Sequence, residues 1–117
     1  MWAPDRKGPL LKTFTLHGTD IIVPNVVLGL MRIAHKTDEE IRALVGAARE
    51  AGIDFIDHAD IYGPTTHACE RRFAEAMRLT PSEREALTIQ TKAGIVPEGP
   101  YFDHSYEHIV EIGRAHV

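Results

Sequence analysis

Ile53-Asp54-Phe55-Ile56-Asp57-His58-Ala59-Asp60-Ile61-Tyr62-Gly63 opens as a short apolar run behind Gly52 and closes in polar side chains before a second glycine. Residues 53–57 read as a strand, and the stretches on either side repeat the theme. Upstream, Thr37 is a good N-cap with Glu40 three residues on, the capping-box spacing. Ile41, Leu44, Val45 and Ala48 then recur at helical intervals up to Gly52, the expected glycine just past a helix end. Before that helix, Val26-Val27-Leu28-Gly29-Leu30 is continuously apolar, as in a strand covered on both faces of a parallel sheet. Earlier still, Lys12 to Leu16 alternates polar and apolar, His17-Gly18-Thr19-Asp20 turns, Ile21-Ile22-Val23 returns, and Pro24 stops the run, which describes a β-hairpin.

Downstream the pattern continues. A helix is predicted from about Ala68 to Leu79 with Phe73, Ala76 and Met77 on one face, then a short helical turn at Pro81-Ser82-Glu83-Arg84. Leu87 to Lys92 forms the next strand, residues 93–102 a loop rich in Gly and Pro, and Asp103 or Ser105 caps a helix beginning near Tyr106. A hairpin followed by β-α-β-α-β-α, with helices as crossovers, implies an α/β fold on a parallel sheet.

Composition sets bounds. The 117 residues are 44% hydrophobic and 26% charged, within the range of ordinary globular domains. No run approaches the roughly 20 apolar residues of a transmembrane helix, and Met1 to Pro9 lacks the apolar core of a secretory signal. Residues 1–11 are expected to be a flexible lead-in. A net charge of −4 with scattered basic residues provides no footprint for nucleic acid or an anionic membrane. The single cysteine, Cys69, excludes an internal disulfide and cysteine-rich zinc sites, so the cytoplasm is the default compartment. Cys69 falls in the second predicted helix, where a buried, inert thiol is expected.

Three polar residues lie where parallel α/β folds carry their chemistry, at the carboxyl ends of strands: Asp57 ends one strand, Tyr62 follows five residues later, and Lys92 ends the next. Neighbouring strands run about 4.7–4.9 Å apart, so an Asp57–Lys92 ion pair at matched heights is within reach. An ammonium beside a tyrosine hydroxyl favours phenolate and makes the phenol a better proton donor near neutral pH. Taken by itself, Asp-x4-Tyr is a common spacing and a strand-end lysine is commonly a solvated charge, so the spacing leaves both readings open. His104 and His108 stand four apart without a third ligand, so no metal is expected. Strand alternation turns His58 away from Asp57, towards packing. Met31, Phe73 and Met77 read as core, and no GxGxxG or Walker A loop is present.

Phe55-Ile56-Asp57-His58-Ala59-Asp60-Ile61-Tyr62-Gly63, with Glu70 and with Thr91-Lys92-Ala93-Gly94-Ile95, resembles the aldo-keto reductase family. The likeness is greatest to a bacterial branch whose strand reads D-H-A-D-I-Y-G. It runs from about Lys12 to Glu111. It implies a partial (β/α)8 TIM barrel, with the hairpin and first three β/α units in residues 12–111 and the hairpin plugging the barrel floor. It also implies an NADPH-dependent oxidoreductase that reduces an aldehyde or ketone. Asp57, Tyr62 and Lys92 would take three places of the family's catalytic tetrad, with Tyr62 as acid/base and Lys92 tuning it. Gly29, Leu30, Met31 and Arg32 would approach the nicotinamide end, and Asp57 the ribose. The tetrad histidine belongs on a fourth strand, so His116 does not fill its place. With three of eight strands and no late phosphate loops, the chain by itself is expected to be inactive and to self-associate through its exposed sheet edge. Glu111 to Val117 matches the translation of GAG ATC GGA AGA GCA CAC GTC, a common sequencing adapter, and Gly113 is a poor helix former, so residues 112–117 are expected to be a non-native tail. The alternatives from other classes are a non-catalytic nicotinamide-binding regulatory subunit on the same fold and a small independent binding domain.

Overall fold

The computed structural model describes residues 11–115; apart from Leu11, the lead-in expected at 1–11 lies outside them, as do His116 and Val117 of the tail. The hairpin comes first. Strands β1 (Thr13–Thr15) and β2 (Ile22–Pro24) pair antiparallel with Phe14 opposite Val23. The turn is closed by Leu16 N–H donating to Ile21 O, with Gly18 supplying the positive φ of +77°.

Strand β3 (Leu28–Gly29) leads into helix α1 (Asp38–Glu50), where Thr37 and Glu40 form the full capping box: Glu40 N–H donates to Thr37 Oγ1 at 3.1 Å and Thr37 N–H to Glu40 Oε2 at 3.0 Å. Such a cap stabilises a helix by about 1 kcal/mol. The helix ends at Ala51, and Gly52 takes φ +94° to turn the chain back. Ile41, Val45 and Ala48 are buried on the face that the apolar spacing selects.

Strand β4 (Phe55–Asp57), helix α2 (Ala68–Met77), short helix α3 (Pro81–Glu85) and strand β5 (Thr88–Gln90) follow. β3, β4 and β5 form a parallel sheet in that order, with Gly29 beside Asp57 and Asp57 beside Gln90. Leu30, Ile33, Ile41, Val45, Ile56, Cys69, Phe73, Ala76 and Leu87 make one core between sheet and helices. Arginines tie the layers together: Arg42 Nε donates to Ala76 O at 2.7 Å, Arg72 bridges to Asp38 at 2.6 Å, and Arg49 pairs with Asp54 at 3.6 Å.

Several boundaries differ from the sequence reading. The strands are shorter than their apolar runs, because the ladder lasts only while two neighbours stay in register, whereas Val26 and Val27 lie outside it and are exposed. Helix α2 stops at Met77, where Arg78 adopts the left-handed conformation at φ 45°. The predicted loop at 93–102 contains a small hairpin, β6 (Ile95–Val96) with β7 (Tyr101–Phe102), since β-branched and aromatic pairs flank a Pro97-Glu98-Gly99-Pro100 turn. Helix α4 (Tyr106–Ala115) starts as expected, with Ser105 Oγ accepting from His108 N–H at 3.2 Å, but it runs through Gly113. A helical glycine costs about 1 kcal/mol relative to alanine, which does not suffice to end a helix with Ile109 and Val110 just before it. Met31 is half exposed at 50% rather than core. No helix among the described residues is long and apolar enough to cross a membrane.

Candidate active site

Asp57, Tyr62 and Lys92 meet at the carboxyl edge of the parallel sheet. Lys92 Nζ donates to Asp57 Oδ1 and Oδ2, each at 2.8 Å, and to His58 O at 2.9 Å. An ammonium has three N–H groups, so these three acceptors use all of them and fix the charge in place. The lysine sits 4.9 Å from the centroid of the Tyr62 ring, and the Tyr62 hydroxyl donates to Asp57 Oδ2 at 3.4 Å.

The pair does not lie at matched heights as the strand ends suggest. Gln90 is the residue across from Asp57, and Lys92 lies two positions beyond it. Two strand residues span about 6.6 Å, a distance the four-carbon lysine stem covers in reaching back. Gln90 was not among the expected site residues, yet its Nε2 donates to Asp57 Oδ1 at 2.6 Å. Period two places Gln90 and Lys92 on one face of the strand, and that alternation is the signal that marks it.

His58, one residue from Asp57, is buried against the helices and meets Phe73 edge-on at 5.1 Å, so it serves packing. Cys69 is fully buried, with its thiol towards Met31 O at 3.5 Å. The other expected positions form the rim beside Asp57. Leu30 N–H donates to Asp57 O at 3.1 Å and its side chain is fully buried, so its backbone is what it can present to a ligand. Gly29 and Arg32 are exposed, and a methyl group added at Gly29 would meet nothing within 4 Å. This open rim fits the flat nicotinamide end of a dinucleotide. Asp57 fits a ribose hydroxyl less readily, because Gln90, Lys92 twice and Tyr62 already take up the roughly four acceptor positions of a carboxylate. A ribose contact would replace the 3.4 Å tyrosine bond, the longest of these.

Ala59, Asp60, Ile61, Tyr62, Lys92 and Ala93 line one side of a cavity of about 340 Å³, and Ile95, Phe102 and His104 close the other. This is within the usual size range of small-molecule pockets, roughly 300–1,000 Å³. The β6–β7 hairpin therefore forms a wall of the site, a contribution its reading as a loop concealed. Phe102 and His104 stack with ring centroids 6.0 Å apart, and Gly94, at φ +125°, lies directly beneath the His104 ring, where any β-carbon would collide with it.

Burial pushes the Asp57 carboxyl upward, but hydrogen bonds from Lys92 and Gln90, the lysine charge and the Tyr62 hydroxyl outweigh it and hold the group below the ordinary carboxylate value. Burial likewise pulls Lys92 down, and its contacts with Asp57 and Tyr62 overcome this and raise it. A lowered Asp57 contributes stability above the unfolded value near 3.9 and loses it as pH falls through the folded value, and a raised Lys92 contributes below about 10.4 and loses it as pH rises through its own. The difference in melting temperature between this chain and its Asp57→Asn variant is therefore expected to stay level from about pH 5 to 9 and to shrink outside that window. A difference that widens towards acid would contradict the pairing.

A parallel sheet with helical crossovers, whose carboxyl edge carries an Asp-Tyr-Lys cluster beside a solvent-open cavity, is the arrangement in which barrel-type α/β proteins place their active sites. The aldo/keto reductase family model matches residues 25–117, and the chain belongs to that family. It is 35% identical over 100 residues to the uncharacterized oxidoreductase YcsN of Bacillus subtilis, covering 84% of this chain and 33% of that protein. It is 36% identical over 108 residues to a 6-dehydroglucose reductase of Novosphingobium aromaticivorans, covering 86% of this chain and 35% of that one. A solved structure from Pseudomonas aeruginosa assigned to the aldo-keto reductases superposes with a TM-score of 0.71 at 29% identity, over 88% of this chain and 40% of the other. A holo aldo-keto reductase from Bacillus halodurans shares the fold, with a TM-score of 0.69 at 21% identity over 89% of this chain and 34% of its own. The chain thus spans about a third of the length of the curated relatives it matches, and its fold is the opening part of a barrel that it does not close.

Proposed function

We propose that this chain is the N-terminal part of an NADPH-dependent carbonyl reductase in which Tyr62 protonates the oxygen of a small aldehyde or ketone. NADPH, when bound, supplies the hydride that the carbonyl carbon receives. The observation that carries this reading is the convergence of a hydroxyl, a fully hydrogen-bonded ammonium and a carboxylate beside one cavity at the carboxyl edge of the sheet.

Each group has a distinct task. Tyr62 presents its hydroxyl at the cavity wall, within proton-transfer reach of a carbonyl bound there. Lys92, with its N–H groups all engaged, acts as a fixed positive charge near the ring, and such a charge favours the negative charge that develops on the phenolic oxygen as its proton leaves. Asp57 orients the lysine. Gly29, Leu30, Met31 and Arg32 would border the nicotinamide end, Leu30 through its backbone. Support also comes from the two curated relatives, both named as oxidoreductases or reductases. The cytoplasm, with its supply of NADPH, suits this chemistry.

The test is a reductase assay with simple aldehydes on the full-length protein that carries this segment. Lys92→Met is expected to lower turnover by roughly 10²–10³-fold, the cost of removing one preorganised electrostatic group from such a site. Turnover within a few-fold of the parent would overturn the assignment.

A further inference from the structure

We infer that Glu70 is a positioning residue for Lys92, an inference that rests on the proposed role of that lysine. Glu70 is the third residue of α2, the place at which α1 and α3 carry Glu40 and Glu83. Those two glutamates reach back to the backbone N–H of their own N-caps, Thr37 at 3.0 Å and Thr80 at 3.4 Å, and so complete capping boxes.

Glu70 is directed elsewhere. The N–H of its N-cap, His67, is taken by Asp60 O at 2.6 Å. Its Oε1 accepts from His67 Nδ1 at 2.7 Å, and its Oε2 accepts from the hydroxyl of Thr91, 21 residues away, at 2.8 Å. The carboxylate is largely buried, its side chain 14% exposed. Thr91 directly precedes Lys92, whose carbonyl accepts from Asp60 N–H at 3.0 Å. The bonds Thr91–Glu70, Glu70–His67, His67–Asp60 and Asp60–Lys92 therefore close a ring around the point where the chain leaves β5. The ring holds the backbone at Thr91-Lys92 against the start of α2 after the ladder has ended at Gln90. Lys92 is at that point beyond strand pairing, and its side chain must nevertheless reach back two positions to place its ammonium on both oxygens of Asp57. Asp60 N–H holds the Lys92 carbonyl from the β4 side, and Glu70 holds the preceding Thr91 from the α2 side, so the two together set where the lysine stem begins. Two positive-φ residues turn the chain at the same corner: Gly63 at φ +99°, where a β-carbon would press on Ala68 and Cys69, and His67 at φ 65°.

The experiment uses the full-length protein carrying this segment and its Glu70→Ala, Glu70→Gln and Thr91→Val variants, each checked by thermal melting. Misplacing a reacting group by about 1 Å costs up to 10²-fold, so Glu70→Ala is expected to lower kcat by roughly ten- to a hundredfold while the Kd for NADPH stays within a factor of about two. Glu70→Gln keeps an oxygen for Thr91 and an N–H for the imidazole, and should recover most of the activity. Thr91→Val cuts one link without touching α2 and should lower kcat in the same direction, which keeps the inference testable if the alanine variant does not fold. In the Lys92→Met background, Glu70→Ala should cause no further loss. Parent-like kcat in Glu70→Ala or Thr91→Val, or a loss that multiplies with Lys92→Met, would overturn the positioning role. A parent-like Tyr62→Phe enzyme would instead overturn the catalytic reading on which it rests.

Discussion

Tyr62→Phe in the full-length protein that carries this segment is expected to lower carbonyl reduction by roughly 10²–10⁴-fold, the range supplied by a placed proton donor. The substitution removes one oxygen and little else. The ring packs against the core and retains its contacts, while the lost bond to Asp57 is a long one at 3.4 Å. Asp57 keeps Lys92 and Gln90, so the charge arrangement survives. Lys92 cannot readily substitute as the proton donor, because its N–H groups are engaged by Asp57 and the carbonyl of His58. The loss should therefore fall on kcat, with the Kd for NADPH nearly unchanged. Single-turnover rates and cofactor titration on parent and variant separate the two. Equal turnover in the phenylalanine enzyme would refute the role.

The 117-residue chain taken alone is expected to show no measurable aldehyde reduction and to bind NADPH far more weakly than the full-length protein. Barrels of this class grip phosphate in loops after their seventh and eighth strands, whereas the described residues of this chain contribute three parallel strands. Its rim at Gly29, Met31 and Arg32 would touch only the nicotinamide end. Large apolar side chains on its two hairpins are also open to solvent: Phe14 is 52% exposed, Ile22 67% and Phe102 75%. Exposed apolar surface of this kind promotes association, so sedimentation should reveal species larger than the monomer at raised concentration. Isothermal titration with NADPH beside a reductase assay checks the binding and activity parts. Binding in the micromolar range, about −8 kcal/mol, together with turnover would show that these residues suffice as a functional unit.

Much of the architecture is legible because its causes are local. The Thr37–Glu40 capping box, the apolar spacing from Ile41 to Ala48 and the turn at Gly52 each involve residues within a few positions of one another, and each is present as read. The alternation of short apolar runs with amphipathic helices is enough to imply a parallel sheet, and that in turn puts Asp57, Tyr62 and Lys92 at one edge. Two residues depart from what their type suggests: Gly113, a poor helix former, lies inside helix α4, and Met31, an apolar residue, is exposed at the open rim.

The sequence by itself determined the order of the helices and the parallel strands, the class of sheet and the three polar residues at its carboxyl edge, because periodicity, capping and strand ends are written in neighbouring residues. Only the tertiary structure decided that Gln90 rather than Lys92 stands across from Asp57, that Ile95 and Phe102 wall the cavity, and that Glu70 reaches Thr91 instead of capping its own helix. Those facts depend on the register between strands and on the close approach of residues more than twenty positions apart, which is set when the sheet and helices pack and leaves no local pattern in the chain.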